Sequence, residues 1–157
     1  MGAEGRVLRG EVEPYWVMGG VIDVKLDAEA TGGAFTMIEI VNPPGGGVPP
    51  HVHERDDETV AVLEGELSVL LGDAAETVGP GDTVFIPRGL VHAFTNTGNG
   101  EARALAITSP GGSETMLRDG AVAKTSDAPP PEALEPDIDA LMTAATGAGL
   151  RFLPSDA

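Results

Sequence analysis

Two of the three histidines in this chain of 157 residues, His51 and His53, lie one residue apart after a run of glycine and proline. In a β-strand, residues two apart point to the same face, so both imidazoles would face one way, close enough to grip one ion. The His-x-His pair is a weak signal by itself, because a chance pair beside a loop has the same pattern. Its meaning depends on which other metal-binding side chains the fold brings to it.

Glu58 is the first such side chain, five residues after His53. It shares strand parity with Val60 and Val62, so it is predicted to point where those valines point, into an apolar interior. A carboxylate among valines is costly unless it is paired or bound to a metal. Pairing with Arg55 is the alternative explanation.

The remaining histidine, His92, lies between Val91 and Phe94 in another apolar segment. Taken alone it could be an ordinary buried histidine. Three imidazoles and one carboxylate together suit one divalent first-row metal, whether iron, nickel, manganese, copper, cobalt or zinc. Such a site leaves two octahedral positions for substrate, water or dioxygen, which is typical of catalytic rather than structural metal sites.

Short strands are the elements predicted to position these residues. The chain has 22 glycines and 13 prolines, and strand-forming runs recur between them, so it favours eight to ten short strands in an antiparallel sandwich or barrel over about 15–109. Residues 42–50 are predicted to be irregular, because proline lacks an N–H. The predicted strands are 15–26 with an interruption at Gly19 and Gly20, 34–41, one starting at His51, a 58–72 hairpin turning at Glu64 and Gly65, 76–78, 83–87, 91–96 and 102–109.

Beyond residue 110 the pattern changes to helix. A short helix over 113–120 with Ser113 as N-cap, a proline-rich connector over 126–136 and a helix over 136–149 are predicted. The apolar stripe of the second helix is predicted to pack outside the barrel, with a lid or a dimer contact as the alternative. This stripe comprises Ile138, Leu141, Met142 and Ala145.

The composition limits the partners. The formal net charge is −16, with only nine lysines and arginines, which disfavours nucleic acids and anionic membranes. There is no cysteine, and neither a signal-peptide core nor an apolar run of about 20 residues is found. We therefore expect one domain over residues 1–157, cytoplasmic, with a barrel core over about 15–109 and an extension over about 113–157.

Two spaced motifs carry a family resemblance. The stretch Gly45-x5-His51-x-His53-x4-Glu58-x6-Gly65 resembles the first cupin motif, and Gly81-x5-Pro87-x-Gly89-x2-His92-x3-Asn96 resembles the second. The resemblance implies an all-β fold, a single cupin β-barrel or jelly roll, here followed by a short C-terminal helical segment. It also implies a metal held by four side chains, His51, His53, Glu58 and His92.

Less specific similarities outside the two motifs indicate which group of cupins the chain resembles. The segments "TGGAF", "IPRGLVHAFTN" and "SPGGSE" look like those of small bacterial cupins resembling quercetinase (flavonol 2,4-dioxygenase). Thiol dioxygenases, which tend to lose the motif glutamate, and secreted germins fit the sequence less well. The resemblance implies a metal-dependent dioxygenase for an enolisable aromatic or polyketide-like molecule, with Glu58 as ligand and catalytic base. The alternatives are a non-redox metal-dependent cyclase or isomerase and a non-catalytic cupin that binds a metal or small ligand.

Strand parity also predicts the surroundings of the site. Phe94 should point into the same interior as His92. For the strand over 35–40, parity does not decide which of its two faces points inward, so Glu39 is either a second acid at the site or a surface charge. The acidic neighbours of Glu58 are expected to be solvated. A homodimer is also expected, because the N-terminal strand segment is not needed to close the barrel and could pair with a second copy of the chain. Those neighbours are Glu54, Asp56 and Asp57, and the residues expected at the cavity rim or the dimer contact are Tyr15, Trp16 and Met18.

Overall fold

The computed structural model describes Gly5 and residues 9–126 and 137–154. Apart from Ser126, the predicted proline-rich connector lies outside the described residues. Within them, twelve strands form one sheet of seven strands and one of five, and every strand pair is antiparallel. The two sheets enclose one apolar core as a β-barrel of the jelly-roll type, which confirms the predicted all-β class.

The larger sheet has the order β11-β1-β2-β3-β10-β5-β8, and the smaller has the order β12-β4-β9-β6-β7. The strands of the larger sheet are β1 (Glu13–Val17), β2 (Gly20–Leu26), β3 (Thr36–Asn42), β5 (Asp57–Glu64), β8 (Thr83–Ile86), β10 (Ala102–Ser109) and β11 (Val122–Ala123). The strands of the smaller sheet are β4 (Gly47–His53), β6 (Leu67–Leu71), β7 (Ala74–Val78), β9 (His92–Asn96) and β12 (Leu150–Phe152).

Alternating burial along the strands shows why this sequence closes into a barrel. In β5, Glu58, Val60 and Val62 are buried while their neighbours are less so, as parity predicted. In β10, every second residue from Ala102 to Thr108 is buried, and three of these four are alanines. Small side chains on this central strand let the two sheets approach closely.

The prediction that residues 42–50 are irregular is wrong at both ends, because β3 ends at Asn42 and β4 begins at Gly47 and includes Pro49 and Pro50. The pairing of β4 with β9 shifts register between Val48 and His51, so the prolines lie where the ladder is interrupted. Proline is tolerated in a strand at such a place, since its missing N–H is not needed there.

The predicted hairpin over 58–72 is also wrong. Its two strands exist, but β5 pairs with β10 and β8, whereas β6 pairs with β7 and β9 in the other sheet. The chain therefore crosses between the sheets at Gly65 instead of folding back on itself. This crossing places Glu58 on the sheet opposite the histidines.

Gly65 makes the crossing possible, and replacing it should destabilise the fold. Its φ is +76°, and an added Cβ would lie 2.7 Å from the carbonyl oxygen of Glu101. We expect Gly65→Ala to lower the free energy of unfolding by about 1–3 kcal/mol, because an L-residue is strained in that conformation. Urea denaturation measures the effect. Gly100→Ala is the matched control, since an added Cβ there meets no atom of the described residues within 4 Å; an equal loss in both variants would contradict this account.

Two helices follow the barrel, α1 (Thr115–Gly120) and α2 (Ile138–Gly147), and they pack against each other. Ser113 does not cap α1 as predicted: the N-cap is Glu114, and the Ser113 hydroxyl bonds Thr108 instead. Of the predicted stripe of α2, Leu141 and Ala145 are buried, but Ile138, the first residue of the helix, is 48% exposed.

After α2 the chain returns to the barrel. The strand β12 was not predicted, and it pairs with β4, so Leu150 lies opposite His53 and Phe152 lies opposite His51. The C-terminal extension therefore continues the sheet that carries all three histidines. No helix among the described residues has the length and apolar character needed to cross a membrane.

Candidate metal centre

The four predicted site residues meet in the barrel interior. His51 and His53 lie on β4, and His92 opens the neighbouring strand β9 directly opposite His51. Glu58 reaches them from β5 in the other sheet. Each residue offers one ligand atom, these atoms all lie within 4.8 Å of one another, and all four residues are at most 5% exposed.

The hydrogen bonds of the three imidazoles fix which ring nitrogen carries the proton. Nδ1 of His51 lies 2.9 Å from the carbonyl oxygen of Pro49, and Nδ1 of His92 lies 2.9 Å from that of Leu90. A carbonyl oxygen can only accept, so both Nδ1 atoms donate. Nδ1 of His53 lies 3.1 Å from the carboxylate of Asp56, which also favours a proton on Nδ1. The Nε2 lone pairs are thereby left for a ligand.

Glu58 completes the cluster with its carboxylate. Its Oε2 lies 2.9 Å from Nε2 of His92 and 3.5 Å from Nε2 of His53. The alternative that Glu58 pairs with Arg55 is wrong, because the Arg55 guanidinium donates to the carbonyl oxygen of Gly147 on the protein surface.

Burial and mutual charge determine the protonation of the cluster. Burial, together with the nearby His92 and His53, lowers the pKa of His51 to about 4, although Glu58 opposes the shift. Burial alone would raise the pKa of Glu58, but the close approach of His92 and the positive charge that the histidines carry when protonated bring it below its ordinary value. Near pH 7, His51 is therefore neutral and Glu58 is ionised, as a metal requires of both ligands.

This donor set fits a divalent first-row transition metal. Three imidazole nitrogens and one carboxylate oxygen converge on one point, and they come from strands of both sheets, so the barrel itself holds their separation. Four protein ligands leave open positions in an octahedral shell, and a small molecule in the adjacent cavity can occupy them. The cluster is thus suited to a metal that also binds a small molecule.

Asp56 is the residue that the sequence argument missed. It was expected to be solvated, but it is 3% exposed and its Oδ1 accepts from Nδ1 of His53. Burial alone would lower the pKa of His53, but the hydrogen bond that it donates to Asp56 and the charges of Glu58 and Asp56 raise it above its ordinary value. The other two acids were also expected to be solvated; Glu54 is exposed and Asp57 is partly exposed, and each forms an ion pair that was not predicted, Asp57 with Arg88 and Glu54 with Arg151. The i, i+3 spacing to His53 was the available signal.

Removing the Asp56 carboxylate should weaken metal binding. A carboxylate behind a histidine ligand orients the ring and makes its other nitrogen a better donor, and loss of such a partner costs about 10–100-fold in affinity. We expect Asp56→Ala to show that loss and Asp56→Asn a smaller one, measured by competition with a coloured chelator. Asp57→Asn, which alters the ion pair and the backbone hydrogen bond with Arg88 on the surface, is the control. Equal affinities of Asp56→Ala and wild type would refute the role.

The cavity next to the cluster is mostly apolar. Phe94 lines it and lies in edge contact with His92, as parity predicted, and Phe152 from β12 stacks on His51 at 5.4 Å between ring centroids. Met18 is also in the wall, whereas Tyr15 and Trp16 are not among the lining residues. The remaining lining residues with apolar side chains are Val17, Ile22, Ile38, Ile40, Val48, Met116, Leu117 and Leu150.

The open question of β3 is answered by the same cavity. Thr36 and Ile40 are buried and Ile38 lines the wall, so the other set of residues points outward. Glu39 forms ion pairs with Lys25 and Arg103 on the outer face of the sheet. It is not a second acid at the site.

The fold and this site define a class of proteins. The family model "Cupin domain" matches residues 38–108, which include all four cluster residues. The chain belongs to the cupin superfamily.

Three relatives show the range of that class. The polyketide cyclase RemF from Streptomyces resistomycificus is 32% identical to this chain and superposes with a TM-score of 0.58. The match covers 68% of this chain and 79% of the RemF chain. Germin-like protein 1-1 from Oryza sativa subsp. japonica is 42% identical over 76 residues, 45% of this chain and 35% of its own length. Oxalate oxidase 2 from Hordeum vulgare is 45% identical over 67 residues, 38% of this chain and 30% of its own length.

These matches place the chain among cupins that include enzymes. The chain spans about a third of the length of the curated plant relatives that it matches. Germins fitted the sequence less well, yet a germin-like protein and an oxalate oxidase are among the relatives found. The polyketide cyclase is matched over a larger share of both chains than either plant protein.

Proposed function

We propose that this cupin is a metal-dependent enzyme that oxygenates an enolisable aromatic or polyketide-like small molecule, with dioxygen as co-substrate. The observation that carries the proposal is the buried convergence of His51, His53, Glu58 and His92 at one end of an apolar cavity. A divalent metal bound there supplies Lewis acidity toward a substrate oxygen and, if it is redox-active, a route to dioxygen.

The residues of the chain have distinct parts in this proposal. The three histidines hold the metal through Nε2, with their Nδ1 protons secured by Pro49, Asp56 and Leu90. Glu58 is ionised near neutral pH and accepts the proton of the substrate's enol or phenol hydroxyl. The proton thus moves from the substrate oxygen to the Glu58 carboxylate, and the substrate becomes an anion that is rich in electrons.

The cavity supports the substrate class. Its wall consists of aliphatic, methionine and phenylalanine side chains, among them Met18, Ile38 and Phe94. Such a wall favours a flat or branched apolar body and excludes water from a reactive anion. The quercetinase-like motifs of the sequence favour the same kind of molecule.

A second candidate function uses the same site without dioxygen. The extent of the match to the polyketide cyclase RemF favours cyclisation or isomerisation of a polyketide-like substrate by a Lewis-acidic metal. Proton transfer to Glu58 would be common to both reactions. They differ in whether oxygen is consumed.

Substrate turnover with and without air tests the proposal and separates the two candidates. Metal-stripped protein is reloaded with iron, manganese, nickel, copper, cobalt or zinc, and each form is given flavonols, polyphenols and linear polyketide mimics. Oxygen uptake that matches substrate loss, and stops without air, supports the oxygenase. Equal turnover without air supports the cyclase, and tight binding without any turnover identifies a binding protein. The cytoplasmic location and the homodimer stay predictions from the sequence.

A further inference from the structure

One pair of hydroxyl groups in the cavity is not explained by the metal centre. Thr108 on β10 is the direct cross-strand partner of Glu58 on β5, and both are buried, so their side chains point to the same interior face. Cross-strand partners have Cβ atoms about 5 Å apart. The side chain of Thr108 therefore starts next to that of Glu58 on the inner face of the sheet.

Ser113 joins Thr108 from the turn before α1. The two hydroxyl oxygens are 2.7 Å apart, and within the described part of the chain neither side chain makes another hydrogen bond. Two hydroxyl groups carry two protons, and their mutual bond uses only one. The pair therefore keeps one proton to donate to a guest, and both residues line the cavity.

The turn that carries Ser113 is fixed in place. The adjacent Glu114 is 3% exposed, and its carboxylate accepts from the backbone N–H of Ala28 and from the hydroxyl of Thr36. The same Thr36 hydroxyl accepts from the N–H of Gly112. The side chain of Glu114, which also lines the cavity, is thus engaged with the barrel wall, whereas the Thr108–Ser113 pair keeps a proton that it can donate.

The other residues of the cavity wall determine which small molecules can bind next to this hydroxyl pair. Among the described residues that line the cavity, none is lysine or arginine. A dicarboxylate such as oxalate would place a second negative charge against an apolar wall, and an unpaired buried charge is costly. A neutral oxygen needs only the one hydrogen bond that the pair can donate.

We infer that the Thr108–Ser113 hydroxyl pair is a substrate subsite that donates a hydrogen bond to a second oxygen of a neutral, largely apolar substrate. The first oxygen of that substrate lies at the His/Glu cluster. The substrate class is then one with two nearby oxygens, such as an enolised 1,3-dicarbonyl or an ortho-hydroxyaryl ketone, and not a dicarboxylate. The inference rests on the proposed function for the position of the first oxygen.

Calorimetric titration with simple probes tests the subsite without requiring turnover. Zinc-loaded protein is titrated with 2′-hydroxyacetophenone, which has both oxygens, with phenol, which has one, and with oxalate; the metal-free protein is titrated in parallel. We expect 2′-hydroxyacetophenone to bind at least tenfold more tightly than oxalate. Thr108→Val and Ser113→Ala should each lose about five- to tenfold in affinity for 2′-hydroxyacetophenone, the value of one hydrogen bond, with unchanged affinity for phenol.

Thr95→Val is the matched control, because Thr95 is an exposed threonine in a strand outside the cavity and should bind all probes as wild type does. Zinc content and the thermal midpoint of each variant show whether it is folded and loaded. Equal losses for phenol and 2′-hydroxyacetophenone, tighter binding of oxalate, or no binding of any probe would overturn the subsite. Selective binding combined with no turnover of any substrate would instead overturn the proposed function and leave the subsite standing.

Discussion

Replacement of Glu58 by glutamine is expected to reduce kcat by about 100- to 10,000-fold on whichever substrate the turnover panel identifies. Glutamine has nearly the same shape but cannot accept a proton, and a positioned base contributes a factor of that size. Because three imidazoles remain, the variant should still bind one metal per chain at saturating metal concentration. Substrate loss is followed spectroscopically, and metal content is measured on the same samples.

Glu39→Gln is the matched control for that experiment. Glu39 lies on the outer face of β3, paired with Lys25 and Arg103, so its loss should leave kcat within about twofold. If Glu58→Gln kept wild-type kcat with metal bound, Glu58 would not be the base. If it lost its metal entirely, Glu58 would be chiefly a ligand, and the proton would have another acceptor.

Replacement of His92 by alanine is expected to lower metal affinity by at least about 100-fold. His92 is wholly buried at the junction of β4 and β9, and it is the histidine closest to the Glu58 carboxylate. Loss of a partner behind a ligand already costs 10–100-fold, so loss of the ligand itself should cost more. Competition with a coloured chelator measures the affinity.

The removal of a buried ring can also weaken the fold, so two further variants accompany His92→Ala. Phe94→Leu shortens a buried side chain on the same face of the same strand and should retain wild-type metal affinity. His51→Ala removes a different imidazole and should lose affinity as His92→Ala does. Wild-type affinity in either folded histidine variant would contradict a site made of all four residues.

The metal cluster could be predicted because its geometry follows from local rules. Alternation in β4 and β5 determines the directions in which His51, His53 and Glu58 point. Each direction depends on only a few consecutive residues. His92 was reachable by its position in a second motif. The sequence alone did not show that His51 and His92 are cross-strand partners; only the family resemblance implied that they meet.

The parts that could not be predicted depend on distant partners. Strand-forming runs on both sides of Gly65 favour a hairpin locally, but pairing of β5 with β10 and of β6 with β9 separates them into two sheets. Asp56 looked like one of several surface acids, and only the turn after β4 places it behind His53. Likewise Phe152 reaches His51 because β12 adds to the sheet edge from about a hundred residues away in sequence.

Function was less predictable than the site for a related physical reason. The donor set accepts several first-row metals with similar geometry, so the metal does not follow from the ligands alone. Substrate choice depends on the cavity wall, which draws on strands of both sheets and on the turn that carries Ser113. These contacts are visible only in the folded chain.

The most direct test of the account is an anomalous difference map from a crystal of metal-loaded protein, recorded at the absorption edge of the added metal. The account predicts one strong peak per chain, within about 2.0–2.3 Å of Nε2 of His51, His53 and His92 and of a carboxylate oxygen of Glu58. A peak elsewhere, or no peak in crystals grown with excess metal, would contradict it.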